Sequence, residues 1–133
     1  MANWYGKART NYFRVKDVEA FRETKAFKNL EVEVIDKDGM VGLLAEGEFG
    51  DFPSGYHDEN DEWVDVDVEA LVAEHLIEGE VAVFMTVGWE KMRYLTGSAR
   101  AINSAGQTRQ VDLDDIYDLA RRELGPNVTT ATY

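Results

Sequence analysis

Carboxylates are the side chains of this sequence best placed to do chemistry, and HDENDEWVDVD at 57–67 crowds them closely enough to invite a calcium-binding reading. An EF-hand loop needs oxygen ligands at fixed positions, with glycine at the sixth and a bidentate glutamate at the twelfth. Counted from Asp58, the twelfth position does hold a glutamate, Glu69, but the sixth holds Trp63 in place of glycine, so the pattern fails and no metal site is expected. The imidazoles are His57, inside the acidic run, and His75, on the apolar stripe of a helix where a packed, hydrogen-bonded role is expected. No cysteine is present, which excludes a thiolate zinc site, an iron–sulfur centre, a disulfide framework and a cysteine nucleophile. No Ser, His or Glu spacing matches a nucleophile elbow, a metal-binding HExxH or a phosphate loop. Neither a catalytic residue nor a cofactor is therefore assigned.

What the carboxylates can do together is electrostatic. Residues 38–90 contain fifteen Asp and Glu and no Lys or Arg, although the whole 133-residue chain has a formal net charge of −12. The acidity belongs to one block, and the two flanks are together slightly basic. A segregated block of one sign repels itself and attracts cations or basic protein surfaces. The same acidity argues against direct binding to nucleic acid or to anionic membranes, both of which need Lys and Arg to neutralise phosphates. Between residues 4 and 16, aromatics alternate with cations: Trp4, Tyr5, Lys7, Arg9, Tyr12, Phe13, Arg14 and Lys16. Such a mixture can stack on single-stranded nucleic acid; the simpler expectation is that Tyr12 and Phe13 enter a sheet while Arg9, Arg14 and Lys16 pair with the acidic block.

The chain is long enough for one domain with one hydrophobic core, and a single domain over 1–133 is expected. Its polar, aromatic start does not resemble a secretory signal, and its longest apolar run, 81–87, is too short to span a bilayer. A cytoplasmic protein is the resulting expectation.

The elements that must position these side chains alternate along the sequence. Residues 12–15 read as a first strand, with Asp17 as the N-cap of a helix through about residue 28. Residues 30–34 alternate as a half-buried strand, Asp38-Gly39 supplies hairpin-turn chemistry, and 40–46 returns. Residues 47–62 read as an exposed acidic loop. A short strand follows near 64–68, then a helix capped by Asp67, with a core stripe of Val68, Leu71, Val72, His75 and Leu76, closed by Gly79. Residues 81–87 are apolar at both parities, as in a central strand covered on both faces. Strands at 91–102 and 107–111 precede a final helix with Asp112 as N-cap, Asp114 and Asp115 in its first turn, and Arg121 and Arg122 in its last. The order predicts an α+β fold: a mainly antiparallel sheet with helices on one face, compatible with a ferredoxin-like core carrying an added hairpin and a C-terminal helix.

Two stretches, NWYGKARTNYFRVKDVEAF at 3–21 and GEVAVFMTVGWEKMRYLTGSARAINSAGQTRQVDLDDIYDLA at 79–120, resemble a group of small proteins encoded by phages, plasmids and integrated elements. The resemblance covers both ends of the chain and is weak between Gly47 and Asp65. It carries over no catalytic residue. It implies a genomic setting in which small acidic proteins inhibit host defence, as DNA mimics, anti-restriction proteins and anti-CRISPR proteins do.

Two classes of function follow. In one, the chain is a non-enzymatic inhibitor whose carboxylates stand in for phosphates and engage the basic surface of a host nucleic-acid-binding protein. The expected contact set is Glu46, Glu48, Asp51, Asp58, Glu59, Asp61, Glu62, Asp65 and Asp67, extended by Glu69, Glu74 and Glu78. In the other, the chain is an accessory protein-binding module of a mobile element, acidic for solubility, that binds through Trp4 and Tyr5. A small enzyme with an unrecognised site is a third reading. Clustered rather than scattered acids favour the first.

Overall fold

The computed structural model describes residues 5–45, 51–91 and 94–131. The chain opens with β1 (Tyr5–Thr10), on which Gly6, Ala8 and Thr10 are buried and Tyr5, Lys7 and Arg9 exposed, the period of two of a strand with one covered face. The first strand thus precedes the expected one at 12–15. Asn11 explains why the ladder stops. Its side chain takes the Val83 amide at 2.8 Å and gives to the Val81 carbonyl at 3.2 Å, which swings the chain away from regular pairing. Phe13 and Val15 are nonetheless buried, each tied by an isolated bridge, to Val41 and Leu76 respectively.

The single helix expected after Asp17 is two short ones, α1 (Val18–Arg22) and α2 (Lys25–Asn29). Asp17 caps the first, its carboxylate accepting from the Ala20 amide at 3.1 Å. In one continuous helix Phe21 and Phe27 would point about 120° apart. The break at Glu23 and Thr24 lets both bury, with ring centroids 4.9 Å apart. Each such ring contributes roughly 1.5–3 kcal/mol by leaving water.

The sheet continues with β2 (Val32–Lys37) and β3 (Met40–Ala45), joined by a turn in which Asp38 and Gly39 both have positive φ, 53° and 82°. Leu30 caps α2 instead of starting the strand. A separate two-stranded hairpin, β4 (Gly55–His57) with β5 (Trp63–Asp65), occupies much of the stretch expected as a loop, and Phe52 and Tyr56 pack against the core. Then come α3 (Val68–His75), β6 (Val81–Glu90), β7 (Tyr94–Asn103), β8 (Thr108–Asp112) and α4 (Asp115–Glu123).

The main sheet has the order β2-β3-β1-β6-β7-β8 with every pair antiparallel. The fold is α+β, as the element order predicts. Strands β2, β3, β1 and β6, with helices after β1 and before β6, have the connectivity of a ferredoxin-like split βαβ core, to which β7, β8 and α4 are appended. The core lies between the sheet and α1 to α3, around Phe13, Phe21, Phe27, Leu43, Val72 and Leu76.

The expected cover on both faces of residues 81–87 is not found. Strand β6 is covered on one side only: Ala82, Phe84 and Gly88 are buried, whereas Val81, Met85, Val87 and Trp89 are exposed on the other. The final helix buries none of its residues; its Ile116 and Leu119 are exposed and line a hollow beside Met85 and Val87 on the open side of the sheet. The cap of α4 is Asp114, while Asp112 ends β8.

Candidate functional site: an acid-lined groove

Strand register decides which carboxylates meet. On β7 the even-numbered residues Ser98, Arg100 and Ile102 share the helical side of the sheet with Thr86 and Phe84 of β6 and Gln110 and Asp112 of β8. Three adjoining hollows run along this side, of about 500, 650 and 390 Å³. Asp67, Glu69 and Arg100 line both the first and the second, and Thr86 and Ser98 line both the second and the third. Glu74 extends the groove at one end, Asp51 and Asp65 flank its middle, and Asp112, Asp114, Asp115 and Asp118 line the other end.

Many of these carboxylates are held in place. Asp67 caps α3, accepting from the Ala70 amide at 3.1 Å. Asp65 accepts from the Trp63 indole at 2.7 Å. Glu69 meets the Arg100 guanidinium at 3.0 Å; burial nevertheless raises its pKa above the ordinary 4.5, with Arg100 acting in the opposite direction. At the far end, hydrogen bonds from Gln110 and Ser98 hold Asp112 below its ordinary 3.8. Asp115 accepts from the Asp112 amide at 2.7 Å.

The remaining members of the expected contact set lie elsewhere. Asp58, Glu59, Asp61 and Glu62 form the turn of the β4–β5 hairpin, where one Asp58 oxygen accepts from the amides of Asn60 and Glu62, both at 2.9 Å. His57 sits there too, 3.7 Å from Asp61 and edge-on to Trp63. Glu78 lies in the turn between α3 and β6. Glu46, Glu48 and Trp4 lie outside the described residues. The groove therefore gathers Asp51, Asp65, Asp67, Glu69 and Glu74 but not the hairpin acids, and it adds Asp112, Asp114 and Asp115, read only as helix-capping chemistry, and Asp118, which the sequence did not single out. A DLDD sequence beside a strand is a weak signal, because only the β7–β8 pairing brings it to this groove.

The cations do not neutralise the block as expected. Among the described residues Arg9, Arg14 and Lys16 make no side-chain ion pair with it: Arg9 lies 5.7 Å from the Tyr12 ring centroid, Arg14 offers its backbone amide to Glu80, and Lys16 reaches the Glu74 carbonyl. Arg22 pairs with Asp36, and Arg121 with Asp118. Tyr5 does not precede the sheet but opens it, stacked on Trp89 at 5.9 Å. His75 is structural, edge-on to Phe21 at 5.3 Å.

Among the described residues no three His, Asp or Glu side chains are grouped to hold a metal ion. No helix among them is long and apolar enough to cross a membrane. Comparison with protein-family models, curated proteins and solved structures finds no match to this chain.

Proposed function

We propose that the chain is a non-enzymatic inhibitor that presents its acidic side to the basic, nucleic-acid-binding surface of a host protein, in the manner of anti-restriction or anti-CRISPR proteins. The observation that carries this reading is the groove's row of carboxylates, several of them fixed by backbone or side-chain hydrogen bonds. Duplex DNA presents one charge per roughly 1.7 Å of its axis. A protein surface competes for the same cations when its own charges are numerous, ordered and already positioned, because little side-chain entropy is then lost on binding. The hairpin acids extend the field beyond the groove and steer the approach of a cationic partner. Such a target, and so this chain, belongs in the cytoplasm of the host cell.

The test separates charge from shape. Replacing Asp58, Glu59, Asp61 and Glu62 by Asn, Gln, Asn and Gln keeps the acceptor that Asp58 provides to its turn and removes four charges. Association with a nucleic-acid-binding target is expected to slow by at least several-fold at low salt, about tenfold if Asp51 and Asp65 are also neutralised, with the difference fading as the ionic strength rises. Unchanged association rates at low salt would refute the reading.

A further inference from the structure

A strand apolar at both parities requires cover on both sides, and β6 has it on one. Met85 and Val87 are 54% and 52% exposed, a pattern that an antiparallel strand facing water does not carry. The apolar surface continues through Leu95, Val111, Leu113 and Ile116, and a shallow hollow of about 600 Å³ separates the sheet from α4. Monomers seldom expose a contiguous apolar patch beyond roughly 300–600 Å². With the neighbouring aromatic pair Tyr5 and Trp89, this face is a run of exposed large apolar side chains of the kind a stable interface buries, at roughly 800 Å² per partner.

We infer that the open sheet face is covered by the same face of a second copy of the chain, related to the first by a two-fold axis. Charge distribution selects this occupant. Two copies of net charge −12 repel wherever their carboxylates meet. The groove acids from Asp51 to Glu74 lie on the helical side, Asp112 and Asp115 stand at the margin of the hollow beside α4 together with Arg122, and among the described strand positions of the open face Glu33 is the one carboxylate. Face-to-face packing is therefore the arrangement that keeps the acidic surfaces apart, on the two outer sides of a dimer. Lys7 and Arg9 stand at one margin of the apolar patch and Arg109 and Arg122 at the other, as in a polar rim around an apolar centre. A single-stranded nucleic acid fits less well, because the centre is aliphatic and its two aromatic rings already stack on each other. This inference does not rest on the phosphate-mimic reading.

Sedimentation equilibrium of the full chain between about 1 and about 100 µM, at low and moderate salt, is the test. A dimer is expected, tightening at least several-fold as salt screens the net charge. Val111→Glu combined with Ile116→Glu, both at exposed positions, is expected to weaken it at least tenfold with an unchanged circular dichroism spectrum. If that variant loses its fold, Val111→Ser alone is expected to weaken the dimer by a smaller but measurable factor. A chain monomeric throughout overturns the inference, as does a dimer that neither variant weakens, or a monomer that binds a short single-stranded oligonucleotide through this face.

Discussion

Thr10 is the one buried polar residue among the described ones, and it stands where the β1–β3 ladder ends. Its hydroxyl gives to the Asn11 carbonyl and accepts from the Leu43 amide, both at 2.8 Å, so one side chain replaces a missing strand bond. Thr10→Val keeps the shape but orphans the Leu43 amide. A loss of about 1–3 kcal/mol is expected in urea unfolding. Arg100 is a second residue with a definite role, because it compensates a Glu69 carboxylate whose pKa burial has raised. A raised carboxylate pKa means that folding takes up a proton. Stability on this account falls as pH rises from the ordinary 4.5 through the folded value, and Arg100 limits that fall. Arg100→Ala is therefore expected to cost about 0.5–1.5 kcal/mol near neutral pH and less as pH drops toward 4.5, as urea melts across that range would report. A cost independent of pH would show that Arg100 acts through packing alone.

At the scale of elements, the β4–β5 hairpin turns an expected loop into a platform. Gly55 permits it: a Cβ there would sit 2.4 Å from the Val64 carbonyl oxygen and 2.6 Å from the Trp63 ring. Gly55→Ala is expected to cost about 2 kcal/mol or more and to accelerate proteolysis within 51–65, because the clash is with backbone. The caps Asp17 and Asp67, the Asp38-Gly39 turn and the mainly antiparallel α+β class were legible in the sequence, because each rests on neighbours in the chain or on periods within single elements. The start of β1 was not. Tyr5, Lys7 and Arg9 look like a polar leader until Gly6, Ala8 and Thr10 are known to face the core, whereas Phe13 and Val15 are buried through single bridges that no periodicity announces. The site was half legible: residues 51–74 supply acids by density, while Asp112 to Asp118 join them only through pairing across the sheet. The bare side of β6 was misread because a run apolar at both parities reads as covered on both faces, whereas in this chain only one face of it is covered.

At the scale of the whole molecule, the protein is two-sided. Carboxylates gather along the helical side, and the other is mainly apolar, with Lys7, Arg9, Arg109 and Arg122 and the aspartates Asp112 and Asp115 at its margins. Few described ion pairs offset the repulsion, so raising monovalent salt from about 20 to about 500 mM is expected to raise the thermal midpoint by roughly 3–6 °C at fixed chain concentration. A midpoint that falls with salt would mean that attractive pairs outweigh repulsion. A dimer joined by its apolar faces would carry two acidic grooves pointing outward and could hold two targets. The central claim, that the acidic side occupies a nucleic-acid site, is tested most directly by competition. A partner captured from host lysate on the immobilised full chain is challenged with duplex DNA at constant ionic strength, beside the chain neutralised at Asp51, Asp58, Glu59, Asp61, Glu62 and Asp65. The expected result is that DNA displaces the partner and that the neutralised chain captures at least several-fold less of it. A partner held equally by both chains and indifferent to duplex DNA would contradict the claim.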